Sequence, residues 1–433
     1  MRAALVLLAA ICCSSCWDEE RFIADCLAAG RCFEPDGGAV DAGDVDAGDV
    51  DAGSPDAGST DAGGTDAGVS DAGAVDGGFW NWVSVSAELG GVTASPDASF
   101  TATQINVAST ALFSGGVLTL ASTIVGVPFG TNGAVVIRLD GGSPVTGPPP
   151  VGAVAGGWSG GVLAADGYVY AAPRAANRFL RIDPVTGASA QWGDPVNDAG
   201  TQKFRGAILS GNAVYAIPFR APYVAKLDLD SGVVTAIPLP AGVVPVATAA
   251  GHGNWTGGTL LSDGRIVMVP AYHTEVLLLD PATDSMTGLG PGEGYGGAAI
   301  LPSGSFVGVP IGTDALLTGT PESFLEAPLG FSDLDSEKFY AAAWSTNGYL
   351  YACPSGVTYV LAIDRTGVAT RLAWPGPTLA PSFQELMSIV GAPDGRLFLF
   401  AEWDAHSRIV VLTPSGRTTF SLATMTSPWI NKL

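Results

Sequence analysis

Imidazole can exchange a proton near neutral pH and can bind a metal, so the three histidines, His252, His273 and His406, have the widest chemical range in this sequence. Two of them, His252 and His273, lie within one short stretch that also carries Glu275, which makes a His-His-Glu metal site or an acid–base pair conceivable. Their spacing fixes no ligand geometry, His406 stands far along the chain, and the same residues read as solvated loop side chains. No catalytic set, no metal and no cofactor is therefore assigned. Cys353 falls inside a strand-like run, where a lone thiol serves as a small buried hydrophobe.

What positions these residues is a long internal repeat. Residues 158–173 read WSGGVLAADGYVYAAP and residues 255–270 read WTGGTLLSDGRIVMVP. The closing proline recurs at Pro128, Pro173, Pro218, Pro270, Pro310 and Pro354, with Ala401 in its place in the last unit, at spacings of 45, 45, 52, 40, 44 and 47 residues. Each unit holds an apolar run, an Asp-Gly or similar turn, an alternating strand, a loop beginning at the proline, a third strand and a more variable fourth. Four short strands per unit, repeated seven times with no helical periodicity between them, predict an all-β, seven-bladed β-propeller over residues 79–433. An eighth partial blade from residues 79–112 is the alternative. Residues 80–88 alternate like a strand and are expected to pair with the last blade, which has a candidate outer strand of its own at residues 418–422.

In such a ring the loops from second to third strand share one face with the connections between blades. That top face should carry Arg174, Arg178, Arg220, Tyr272, His273, Glu275, Trp403, Asp404 and His406. Fifteen residues before each marker stand Phe113, Trp158, Lys203, Trp255, Tyr295, Phe339 and Leu386. Aromatic groups there, Trp158 and Trp255 above all, suit either stacking against a ligand at the channel mouth or wedging between blades. Asp183, Asp228, Asp280 and Asp364 stand where outer hairpin turns on the opposite face need turn initiators.

The first 78 residues are organised differently. Arg2 and the apolar run 3–11 read as an export signal, and Cys13-Ser14-Ser15-Cys16 resembles the bacterial lipobox, with Cys13 where Leu, Val or Ile is usual. The resemblance implies a signal peptide over 1–15 and lipid on Cys16. Residues 16–35 hold Cys26 and Cys32, which could pair in an oxidising compartment. Over residues 36–78 an aspartate recurs every five residues, mostly as Asp-Ala-Gly. With no large apolar side chains this segment cannot bury a core, and it is expected to be a disordered tether spanning about 35 Å.

Charge follows the same division. Of a formal net charge of −22, residues 36–78 supply eleven aspartates and no base, whereas residues 79–433 hold 25 acidic and 16 basic side chains. No basic stripe exists to neutralise phosphates, which argues against nucleic acid.

The blade punctuation of residues 113–416 resembles the superfamily of secreted bacterial propellers that includes YVTN-type, virginiamycin B lyase-like and gluconolactonase-like proteins. This implies a fold shared by many activities. The resulting expectation is a monomeric, lipid-anchored binding module at the bacterial outer membrane or cell surface, whose top face meets a peptide, glycan or envelope component. The alternatives are a lyase- or hydrolase-type enzyme, an architectural envelope subunit, and secretion without an anchor.

Overall fold

The computed structural model describes residues 99–107, 111–198, 200–246, 253–332, 338–374, 386–401 and 408–417. Cys16, Cys26, Cys32 and the five-residue repeat lie outside them. The described chain contains no helix and forms seven four-stranded antiparallel sheets, one per repeat, arranged as a β-propeller. Blade 2 shows the pattern: inner strand Trp158–Leu163, second strand Val169–Pro173, third strand Phe179–Ile182 and outer strand Ser189–Trp192.

The marker residue ends the second strand in every blade, and it sits opposite the first residue of the inner strand. The pairs are Phe113 with Pro128, Trp158 with Pro173, Phe204 with Pro218, Trp255 with Pro270, Tyr295 with Pro310, Phe339 with Pro354 and Leu386 with Ala401. Proline is tolerated at this strand end because it donates nothing to the ladder. In blade 3 the residue opposite the marker is Phe204 and not Lys203, because the turn between Leu209 and Val214 is one residue shorter than the turn between Leu163 and Val169. Six of the seven positions are thus aromatic, and all seven are buried.

Within the first residues after that pair, every inner strand shifts register by a bulge, between Ser159 and Gly161 in blade 2 and between Trp255 and Gly257 in blade 4. A bulge re-aims the side chains beside it. The residue at the third position instead meets the neighbouring inner strand: a Cβ on Gly160 would come within 2.5 Å of the Gly206 Cα, and one on Gly257 within 2.6 Å of the Gly297 Cα. Glycine is needed there because two backbones touch. The apolar cores form layers between successive blades, as where Tyr170, Phe179, Phe204 and Val214 join blades 2 and 3.

The ring closes through the N-terminal strand Phe100–Asn106, which pairs antiparallel with Arg408–Pro414 over seven residue pairs and becomes the outer strand of blade 7. The described residues complete seven blades, and the closing strand is not the segment expected from sequence. Residues 80–88 and 418–422 lie outside the described residues. Phe100 pairs with Pro414 at the bottom of the blade, so the chain enters the ring from the face opposite the markers.

Candidate functional site

The top of the ring is built on a backbone circuit. The residue after each described marker proline donates its N–H to the carbonyl of the residue preceding the inner strand of its own blade: Phe129 to Leu112, Arg174 to Gly157, Phe219 to Lys203, Ala271 to Asn254, Ile311 to Gly294 and Ser355 to Lys338. Its own carbonyl accepts from the next blade. Gly157 donates to Phe129, Lys203 to Arg174, Asn254 to Phe219, Gly294 to Ala271 and Lys338 to Ile311. All these bonds measure 2.7–3.1 Å. Phe129, Arg174, Phe219, Ala271 and Ile311 are thereby held at both ends, and their side chains stand on a fixed backbone.

Two arginines are set into this rim. Arg174 is 4% exposed, and its guanidinium carbon lies 4.9 Å from the ring centroid of Phe129 in blade 1 and 5.8 Å from that of Phe219 in blade 3. Arg205 is the second residue of the blade 3 inner strand, beside the bulge, and is 7% exposed. Its guanidinium lies 5.6 Å from Phe219 and 4.5 Å from Tyr340 of blade 6. Contact between blades 3 and 6 crosses the ring, so the chain Phe129, Arg174, Phe219, Arg205, Tyr340 runs over the axial mouth. Stacking on aromatic faces favours a guanidinium in a partly dry site, because the ring quadrupole compensates for lost hydration.

The other half of the mouth is apolar. Tyr340 packs with Ala271 and Ile311, and Tyr272 and Met387 lie against that cluster. In the inner-strand row that holds Arg205, other blades carry polar side chains: the Ser114 and Ser159 hydroxyls are 2.8 Å apart, and Thr256 donates to the Gly296 carbonyl at 2.8 Å.

The residues singled out from sequence divide among these settings. Arg174 and Tyr272 belong to the mouth, and half-buried Arg220 follows Phe219 on the same rim. Arg178 lies at the start of the blade 2 third strand, where its guanidinium donates to the Gly193 carbonyl. Trp158 and Trp255 expose no surface, and their indole N–H groups donate to the Arg178 and Glu275 carbonyls at 2.9 and 2.8 Å. Their place is within the packing beneath the rim.

His273 stacks on Trp255 with ring centroids 4.4 Å apart, and both nitrogens meet main-chain groups. Nδ1 accepts the Glu275 N–H at 3.0 Å and Nε2 lies 3.3 Å from the Val244 carbonyl, the pattern of an imidazole carrying its proton on Nε2. The Glu275 carboxylate lies beside Gly288 of its own outer strand. His252, Trp403, Asp404 and His406 lie outside the described residues. Among the described residues, no group of three or more His, Cys, Asp or Glu could hold a metal ion. The Cys353 thiol is buried, and that burial pushes its pKa up, out of the range of a thiolate nucleophile.

On the opposite face the aspartates serve their turns. Asp183 accepts from the N–H groups of Val185 and Thr186, Asp228 from Ser231, Asp280 from Ala282, and Asp364 from Thr366 and Val368. These are Asx turns spread around the rim.

Among the mouth residues that sequence reading missed are Arg205 and Tyr340. Both stand directly after the inner-strand aromatic, a position shared by Ser114, Ser159, Thr256 and Met387. Placing Lys203 in the aromatic column moved Arg205 out of that row; aligning Phe204 with the other aromatics would have found it.

The sequence matches no protein-family model and none of the curated proteins compared with it. Similar solved structures include the Staphylococcus aureus virginiamycin B lyase with quinupristin, at 14% identity and a TM-score of 0.59, covering 73% of this chain and 99% of that one. A streptogramin B lyase gives 12% identity and a TM-score of 0.57, with 73% and 98% covered. The extracellular domain of a putative hybrid two-component system from B. thetaiotaomicron gives 11% identity and a TM-score of 0.51, covering 72% of this chain and 42% of that one. Likeness at this identity establishes the propeller fold alone.

Proposed function

We propose that this protein is a binding module that acts as a monomer and engages its ligand at the mouth of the axial channel on the top face. The observation that carries this reading is the two-sided mouth itself, with Arg174 and Arg205 stacked among aromatic rings on one side and Ala271, Ile311, Tyr272, Tyr340 and Met387 on the other. Concave sites with a few fixed polar groups in an apolar lining are where ligands bind. Apolar surface around the mouth extends it: Val151, Val154, Val244 and Val246 stand exposed on between-blade connections of this face. Commitment of both His273 nitrogens to the main chain favours binding over acid–base chemistry in this blade.

The entry of the chain from the bottom face supports a further element of the reading. If Cys16 carries lipid and residues 36–78 form a tether, the bottom of the ring is held towards the membrane and the mouth is turned away from it. An exported, surface-anchored protein presenting this mouth to a peptide, glycan or envelope component is the function we assign.

Peptide and glycan arrays probed with the full chain test it. The wild type should retain ligands that an Arg174→Gln, Arg205→Gln double variant loses, whereas Glu322→Gln, on the bottom face, should bind as the wild type does. Equal retention by all three proteins would remove the mouth from consideration.

A further inference from the structure

From the outer edges of the seven blades we infer that blade 7 carries a second interaction surface, apart from the mouth: the free edge of Phe100–Asn106 takes up an extended, uncharged strand from another protein. Within its sheet each outer strand is bonded on one side only. The other side leaves a row of unpaired N–H and C=O groups, whose natural complement is a further β-strand. Sheets blunt such edges, and six of these blades do so. The blade 1 strand Val145–Thr146 has two residues and runs into Pro148, Pro149 and Pro150, and Ser189–Trp192 has only four residues. Val234–Pro238 ends in proline, and Ser285–Pro291 is broken by a register shift and by Gly290 at a φ of 101°. Ser323–Pro328 carries Glu326 and Pro328, and Ala369–Ala373 carries exposed Arg371.

Phe100–Asn106 has none of these devices. Its seven residues, FTATQIN, include no proline, glycine or charge, and all seven pair with Arg408–Pro414 without a break. The edge is therefore regular over about 20 Å. Thr101, Thr103, Gln104 and Asn106 stand exposed along it. An incoming strand sets its side chains beside these, where threonine and other β-branched residues pair well and a charge finds no opposite charge in the strand. A second copy of this chain does not suit the place. Two identical edges pair antiparallel about a two-fold axis, which turns one ring over relative to the other, whereas copies tethered from their bottom faces to one membrane, as in the reading above, face the same way.

The test uses the full chain and an immobilised library of random decapeptides, made once unmodified and once with every amide N-methylated, which removes the main-chain donors and leaves the side chains. The protein should retain unmodified peptides rich in threonine and β-branched residues and poor in charge, at least about tenfold more strongly than their N-methylated forms. A Thr101→Lys, Thr103→Lys variant should lose that retention with its melting temperature unchanged, since both side chains are exposed and lysine guards an edge without touching the ladder behind it. An Arg174→Gln, Arg205→Gln variant should retain these peptides as the wild type does, so the outcome here is separate from that of the top-face reading. In hydrogen exchange, the outward amides of Phe100–Asn106 should exchange fast in the free protein and slowly with a retained peptide bound. Retention indifferent to N-methylation or to the two lysines overturns the inference. Slow exchange of every Phe100–Asn106 amide in the free protein does so as well, because the edge would then be filled by the chain itself or by a second copy.

Discussion

The guanidinium of Arg205 lies 4.5 Å from the ring centroid of Tyr340, joining the third blade to the sixth across the channel. Two residues separated by most of half a ring are thus in contact at its axis. A double-mutant cycle of Arg205→Met and Tyr340→Leu should give a coupling of about 1–2 kcal/mol in unfolding free energy, the range for a cation–π pair withdrawn from water. Additive effects would show that the two side chains do not communicate.

Gly257 and Gly211 offer a controlled comparison of glycine roles. A Cβ on Gly257 meets the backbone of Gly296 and Gly297, whereas one on Gly211 meets nothing within 4 Å although its φ is 56°. Gly257→Ala should cost about 3 kcal/mol, because two inner strands must separate, and Gly211→Ala only about 1 kcal/mol of conformational strain. Urea unfolding of the two variants measures both.

His273→Ala should destabilise the protein by about 2–3 kcal/mol, since it removes the ring stacked on Trp255 and leaves the Glu275 N–H and Val244 carbonyl without their side-chain partner. Ligand retention on the arrays should be unchanged at a temperature where the variant is folded. Loss of retention with stability intact would return this histidine to the binding or catalytic groups.

Alkali should unfold the protein through its buried phenols. Burial pushes Tyr223 and Tyr351 up to about 12, above their ordinary value of 10. For a group raised in this way the contribution to stability is complete below pH about 10 and is lost as pH rises from there towards 12, because the unfolded chain releases the proton first. The melting temperature should fall over that window, and fall less steeply in a Tyr223→Phe, Tyr351→Phe double variant. Identical profiles would place the cause elsewhere.

Removing residues 1–107 deletes Phe100–Asn106 and bares the ladder edge of Arg408–Pro414, with Ile409 and Val411 in it. Such a protein should melt lower and self-associate, as open sheet edges do. A chain starting at residue 98 should melt like the full one. Differential scanning calorimetry and sedimentation distinguish the two.

Much of this architecture was legible because turn chemistry and strand ends repeat: the marker prolines predicted where every second strand ends, and Asp183 or Asp364 announced the outer turns. The closing strand was harder to read. Phe100–Asn106 is an outermost strand with one face in water, and its sequence FTATQIN carries little apolar alternation, whereas residues 80–88 alternate more strongly. Propensity measures how well a segment suits a pleated surface and says little about which strand will pair with it. The mouth was half legible for a related reason. Arg174 follows its marker directly, but Arg205 was hidden by a one-residue difference in turn length, and in a strand a slip of one sends each side chain to the other face.

The closing strand also sets how the molecule bears tension. A ligand gripped at the mouth and a chain drawn away from before Phe100 would pull on opposite faces of the ring, so the force would run along the Phe100–Asn106 strand. Its ladder bonds to Arg408–Pro414 lie across that direction, and the seven residue pairs would share the load in shear instead of parting one after another from an end. Resistance to such a pull is a matter of unfolding rate and not of equilibrium stability. The ring is fastened by the strand through which a surface tether would draw on it, in the direction that strand withstands best.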